Sequence, residues 1–499
     1  MKNCNLRRNL WFLGASAALV GSAVPPLHAQ GSPARRIEQR LARPPLDRAH
    51  WGILAIDERG RTLYEHNADR LFIPASTAKL VVAAAASALL PAEFRAITSV
   101  YAAGPITDGV LQGDLIIFGR GDPTFSTRCY GTDTLAAGAC DSAWARVDTL
   151  ADQLVARGIR RVAGAVVGDG SHFDPELTHP GWESYDLNWW YAAPVSGLGF
   201  NDNSLDVTYG PGPAVGAPVD VQFWPDLGLF LFENRTRTLD AGERRTIDFF
   251  REPGTTRVWA EGGVSARARP RTEYFAVPDP NLFFAAALRE ALARRGVSVL
   301  GPTRSTVDPA LYASLRTTAP VAEVASRARD DLIYPILNSS QNWFAEMILK
   351  NLGQHTAGTG SWEAGLAAER RFLIDSVGVD STAIALSDGS GLATTNLLTP
   401  RALVQILAYM RTHPSGSGFL RGLPRSGQPG SLRDRFIGTP LEGRVVAKTG
   451  SIARVNSLAG YVERPDGRTV VFAIFANNHT VPYSAMLQQI DSLVLELGR

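Results

Sequence analysis

Cysteine is nearly absent. The 499 residues include three, Cys4, Cys129 and Cys140, too few for a disulfide-stapled fold or a thiolate metal cage. No C-x-x-C or H-E-x-x-H occurs and the 8 histidines are scattered, so no metal site and no cofactor is inferred. Neither sign of charge is in excess: 50 basic against 48 acidic side chains leave a formal net charge of +2, and nothing there asks for nucleic acid. Beyond residue 24 no run is long and apolar enough to span a membrane. Also missing is G-x-S-x-G, the nucleophile turn of α/β-hydrolase esterases. What remains is an ordinary globular composition, 45% hydrophobic and 20% charged, in a chain too long for one core; two or three domains are expected.

Residues 1–29 stand apart. Lys2, Arg7 and Arg8 precede an apolar stretch over 10–24, and Leu27-His28-Ala29 offers a cleavage site before Gln30. The pattern is that of a secretory signal peptide, since its apolar part is short for a membrane span; an uncleaved anchor is the alternative. Its removal takes the formal charge from +2 to −1 and removes Cys4. A secreted or periplasmic location follows, the mature chain being soluble or loosely attached. In that oxidising compartment Cys129 and Cys140 are expected to form a small-loop disulfide, with two free thiols as the alternative.

The stretch that organises the rest is Phe72-Ile73-Pro74-Ala75-Ser76-Thr77-Ala78-Lys79-Leu80. A serine opens an apolar helical run and a lysine follows three residues later, on the same face of a helix. The run over 80–90 is almost all Ala, Val and Leu, so the helix should be buried. A lysine facing inward loses hydration, which disfavours its charge and lets it take a proton from the serine. S-x-x-K alone is a weak signal.

Residues 35–43 read as a short polar helix, and 50–57 and 62–66 as a hairpin leading into the Ser76 helix. The chain divides as a catalytic portion over 30–93, a β-rich insertion of one or two domains over 94–279, and a second catalytic portion over 280–499. Within the insertion, 142–157 is the one long amphipathic helix. Trp182, Trp189, Trp190 and Tyr191 form an aromatic cluster, read as core in preference to a sugar or peptide groove. Arg120-Gly121-Asp122 spells an adhesion tripeptide, which is set aside as chance. Helices return over 280–295, 343–352 and 400–411. Three strands (443–448, 457–463, 468–476) and a helix (482–497) close the chain and complete a sheet with the first hairpin.

Two further motifs follow. Ser340-Gln341-Asn342 lies at a helix start, where its serine can relay a proton and its amide can bind a peptide backbone. Lys448-Thr449-Gly450-Ser451 ends a strand. There Gly450 admits close backbone approach, while Lys448 and the two hydroxyls can hold a carboxylate. In the order S-x-x-K, S-x-N, K-T-G the three become specific. With them the chain resembles the class C low-molecular-mass penicillin-binding proteins, the D-alanyl-D-alanine carboxypeptidase/endopeptidase family. The likeness extends to Gly113-Asp114-Leu115, Gly121-Asp122-Pro123-Thr124, Asp388-Gly389-Ser390-Gly391-Leu392 and residues 447–462. The separation of 264 positions from Ser76 to Ser340 matches that family's extra domains. Gln341 stands where the family often has Asp, and Ser451 where Thr is common.

The resemblance implies an α/β (α+β) fold: a penicillin-binding/serine β-lactamase-like transpeptidase domain, an antiparallel sheet flanked by helices, with large β-rich inserted domains. It implies Ser76 as nucleophile, Lys79 as its base, and Ser340 with Lys448 passing the proton to the leaving amine. Asn342 would bind the substrate backbone, and Lys448, Thr449 and Ser451 its carboxylate. The backbone N–H groups of Ser76 and Ser451 would form the oxyanion hole. Peptidoglycan stem peptides would be the substrate and β-lactams the inhibitors. A serine β-lactamase is the nearest rival, but no convincing added carboxylate base is found. A non-catalytic penicillin-binding scaffold is the other, against which all three motifs are intact.

Overall fold

A computed structural model of the chain describes residues 32–126, 143–252 and 254–499. The proposed signal segment and the Cys129/Cys140 pair lie outside the described residues.

Five antiparallel strands form the central sheet, in the spatial order Thr62–His66, His50–Asp57, Thr469–Asn477, Val455–Glu463, Val445–Ile452. The expected hairpin and the three late strands therefore share one sheet. Both faces are covered, so the strands read as nearly continuous apolar runs, with alternate residues going to opposite cores. Val471, Ala473 and Phe475 face the larger helical layer. Val470, Phe472, Ile474 and Ala476 face the first and last helices, Pro33–Leu41 and Tyr483–Leu497.

The helical layer surrounds Lys79–Leu89, which is buried on nearly every side. A helix apolar all round belongs in a core. Around it pack Arg329–Asn338, Asn342–Ala357 and Pro400–Thr412. Arg329 ties two of these together: its guanidinium donates to the carbonyls of Ser87 and Leu90, at the end of the central helix.

The chain leaves this unit through the strand Ile97–Ala103 and returns through Ala322–Ala325, which pair antiparallel. Both belong to a five-stranded mixed sheet, and between them lie a four-stranded sheet and two three-stranded sheets, so this stretch is rich in strands. The helix just past the expected edge at 279/280 has its partners in the inserted segment. Helix Pro280–Ala293 packs with the inserted segment rather than with the catalytic portion: Phe284 meets Phe125 at 4.7 Å and Phe283 meets Phe200 at 5.2 Å. Returning helical periodicity marks an element, not the core that receives it.

Candidate active site

Ser76 lies in a single 3-10 turn, Ala75–Ala78, and the α-helix proper begins at Lys79. The expectation of a helix starting at Ser76 is thus modified by one tighter turn. Ala75 stands at φ +48°, a left-handed conformation that turns the chain sharply into the helix. Behind the turn, Ser457 Oγ donates to the Pro74 carbonyl at 2.7 Å.

The three motifs meet. Lys79 Nζ lies 2.9 Å from Ser76 Oγ, 2.7 Å from Asn342 Oδ1 and 2.6 Å from the Ser390 carbonyl. Lys448 Nζ donates to Ser340 Oγ at 2.7 Å and to the Thr449 carbonyl at 2.8 Å. Lys79, Lys448 and Asn342 are buried, whereas Ser76, Ser340 and Thr449 are half-buried and Ser451 is exposed. Two buried amines thus sit beneath a row of more exposed hydroxyls.

Burial sets their protonation. Loss of hydration pulls Lys79 down to about 7, opposed by the charges of Asp388 and Glu346. Lys448 is held well below its ordinary range, first by desolvation and then by the charge of Lys79. Charged Lys79 satisfies three acceptors with three N–H bonds. Once neutral, it can keep Asn342 and Ser390 and turn its lone pair to the Ser76 hydroxyl.

Asn342 is engaged at both ends: Oδ1 accepts from Lys79, and Nδ2 donates to the Tyr191 carbonyl at 2.7 Å. In this arrangement it orients the lysine; its second amide hydrogen can serve a substrate carbonyl. Thr449 Oγ1 donates to Ser431 Oγ at 3.1 Å, and Asn456 Nδ2 donates to Ser451 Oγ at 3.2 Å. Gly450 also has a packing reason. A Cβ there would fall 2.2 Å from Ser457 Oγ and 2.7 Å from the Pro74 carbonyl, so the residue is small because its strand lies against the nucleophile turn.

Glu346 and Glu369 went unread in the sequence, and Asp388 was read only within the run 388–392 and given no role. Glu346, fully buried, accepts from Gly389 N, Ser390 N and Trp362 Nε1. Asp388 accepts from Trp182 Nε1, Gly391 N, Ala393 N and Asn396 Nδ2. Together they hold the 388–392 loop whose Ser390 carbonyl faces Lys79. Burial, then the charge of Asp388, raises Glu346 to about 7. Glu369 beside them is raised well above the usual carboxylate range for the same first reason. The aromatic cluster is split: Trp182 is core, while Trp189, Trp190 and Tyr191 are half-buried; Trp189 packs on Phe275 and Trp190 on Tyr274, and the Tyr191 carbonyl reaches Asn342. Asp122 of the adhesion spelling is buried and paired with Arg146 at 2.7 Å.

A serine and lysine on one turn, a second serine and lysine facing them, and a sheet with helices on both faces define a serine enzyme of the penicillin-binding and β-lactamase class. The profile described as the D-Ala-D-Ala carboxypeptidase 3 (S13) family matches residues 34–496. The D-alanyl-D-alanine carboxypeptidase of Actinomadura sp. is 32% identical over 505 residues, covering 97% of this chain and 87% of that protein. The D-alanyl-D-alanine carboxypeptidase DacB of Haemophilus influenzae is 25% identical over 431 residues, 85% of this chain and 84% of that one. The crystal structure of penicillin binding protein 4 (dacB) from Haemophilus influenzae superposes with a TM-score of 0.81 at 23% identity, covering 93% of this chain and 99% of that one. The chain belongs to the D-Ala-D-Ala carboxypeptidase 3 (S13) family. It is a serine-type D-Ala-D-Ala carboxypeptidase and a penicillin-binding protein, working through an acyl-enzyme. No helix among the described residues is long and apolar enough to cross a membrane.

Proposed function

We propose that Ser76 is the residue acylated, and that the substrates are peptidoglycan stem peptides ending in D-Ala-D-Ala, met in the periplasm or outside the cell. The observation that carries this is the 2.9 Å contact between Ser76 Oγ and the buried amine of Lys79. Ser76 Oγ attacks the carbonyl carbon of the penultimate D-alanine while its proton passes to Lys79 Nζ. The charge developing on the carbonyl oxygen is met by the backbone N–H groups of Ser76 and Ser451. As the C–N bond breaks, Ser340 Oγ gives a proton to the departing D-alanine amine and is resupplied by Lys448 Nζ. Thr449, Ser451 and the charge of Lys448 bind the terminal carboxylate, and Asn342 the peptide backbone. Water then attacks the ester and frees Ser76.

Penicillin acylates the same oxygen, and its ring fragment does not leave. A second Haemophilus influenzae penicillin binding protein 4 structure is titled as complexed with a β-lactam, a precedent for the inhibitor. The test is intact-mass spectrometry after exposure to a labelled penicillin. One stable adduct that maps to Ser76 and disappears in Ser76→Ala is expected. Rapid drug turnover without an adduct would point to a β-lactamase, and neither adduct nor turnover to a scaffold.

A further inference from the structure

The S-x-N motif is strained, and what restrains it comes from the inserted segment. Ser340 stands at φ +61°, a region that a serine rarely adopts unless its surroundings impose it. Immediately after it, Gln341 caps the next helix: its side-chain oxygen accepts from Trp343 N at 3.1 Å. The same amide donates through Nε2 to Asp202 Oδ2 at 2.9 Å, with both residues almost wholly buried.

Asp202 is itself held in an unusual turn. Asn201, Asp202 and Asn203 follow one another at φ +50°, +54° and +51°. Asn and Asp tolerate this conformation best among side-chain-bearing residues, but three in succession need support. Asn201 Nδ2 donates to the Ser204 carbonyl, and Phe200 N donates to Asn203 Oδ1. Asn203 Nδ2 donates to the Pro194 carbonyl, which also accepts from Trp343 Nε1. Two contacts from this turn and its neighbour Pro194 therefore converge on the first residues of the helix that follows Ser340.

We infer that Asp202 is a positioning residue for the acylation machinery. By accepting from Gln341 it fixes the helix start that places Ser340 Oγ on Lys448 and Asn342 on Lys79. The pairing also accounts for the amide at 341, where an aspartate would set two buried carboxylates against each other. The inference rests on the acyl-enzyme reading above, and its failure is separable from the failure of that reading.

The experiment is a mutant cycle on the full chain, comprising Asp202→Ala, Gln341→Asp and the exchanged pair Asp202→Asn/Gln341→Asp. The readout is the single-turnover acylation rate by a labelled penicillin, normalised to titrated sites, with melting temperature measured alongside. Displacement of the relay should lower acylation at least about tenfold in Asp202→Ala and more in Gln341→Asp. The exchanged pair, in which an amide at 202 again donates to the residue at 341, should recover to within about threefold of the natural chain. If Gln341→Asp does not fold, folding and acylation by the exchanged pair still establish the coupling. Folded Asp202→Ala with natural acylation per site overturns the inference. So does an exchanged pair no better than Gln341→Asp, because a merely structural role moves the melting temperature and not the rate. Failure of the natural chain to acylate would sink the catalytic reading instead.

Discussion

At the scale of single residues, the site depends on a lysine whose charge is balanced near neutrality. Desolvation lowers Lys79 to about 7, and the carboxylates of Asp388 and Glu346 keep it from falling further. In the proposed mechanism the neutral form is the base, so acylation should rise about tenfold per pH unit below that value and level off above it. A pH profile of acylation by a penicillin checks this, and a flat profile between pH 5 and 8 (about two units below and one above) would refute it. Lys79→Arg keeps the charge but cannot deprotonate, and should lose at least about a thousandfold in acylation rate. Glu346 supports the same group at one remove. Glu346→Ala leaves the N–H groups of Gly389 and Ser390 and the Trp362 indole without their acceptor. A loss of about 3 kcal/mol or more is expected by urea unfolding, since each abandoned buried donor costs about 1–3 kcal/mol. Ser76 and Lys79 could be read from the sequence because their relation is local, three residues along one helical stretch. Glu346 and Asp202 could not, and Asp388 was read only as part of a run shared with the family, since their hydrogen-bond partners lie on segments distant in sequence, at 389–390 for Glu346 and at 341 for Asp202.

At the scale of elements, strands and helices near the ends of the chain were legible, because covered strands have long apolar runs and the Ser76 helix is apolar all round. The Pro280–Ala293 helix was legible as a helix, but its partners were not. Its phenylalanines meet Phe125 and Phe200, residues some 80 to 160 positions earlier, and no local pattern announces such a pairing. Gly450 is the element-scale case within the site. The strand Val445–Ile452 must lie flat on the turn that holds Ser76, and Gly450 leaves room for it. Gly450→Ala would press a methyl onto Ser457 Oγ and the Pro74 carbonyl, moving the strand proposed to bind the carboxylate away from Ser76. A stability loss of about 1–3 kcal/mol should accompany a fall in acylation of about a hundredfold, as an ångström-scale displacement implies. Thermal unfolding and stopped-flow acylation on the same sample measure both; natural acylation in the variant would mean the strand can relax without moving its hydroxyls.

At the scale of the whole molecule, the inserted segment is a structural partner of the catalytic unit. The helix Asn342–Ala357 carries Asn342 at one end and Lys350 further along. Lys350 Nζ, fully buried, donates to Asp174 Oδ1 at 2.7 Å and to the Glu176 carbonyl at 2.6 Å, and lies 3.7 Å above the Trp362 ring. Next to it, Asn351 Nδ2 donates to the Gly121 carbonyl at 3.0 Å. One helix thus serves the site from its first turn and grips the insertion from its middle. Lys350→Met keeps most of the side-chain volume but removes the charge and both donated bonds. Asp174 stays partly exposed, so water can take over some of its solvation, and a cost of about 2 kcal/mol is expected, not that of a fully buried orphan charge. Hydrogen exchange shows where that loss falls. Amides around residues 120–126 and 172–176 should exchange faster, while the central strands His50–Asp57 and Thr469–Asn477 keep their protection. Acylation should slow as well, although Lys350 touches no reacting atom, because Tyr191 and Asp202 reach the site from the loosened side. Uniform acceleration across both units would instead show that they unfold as one body, with no separable grip at this helix.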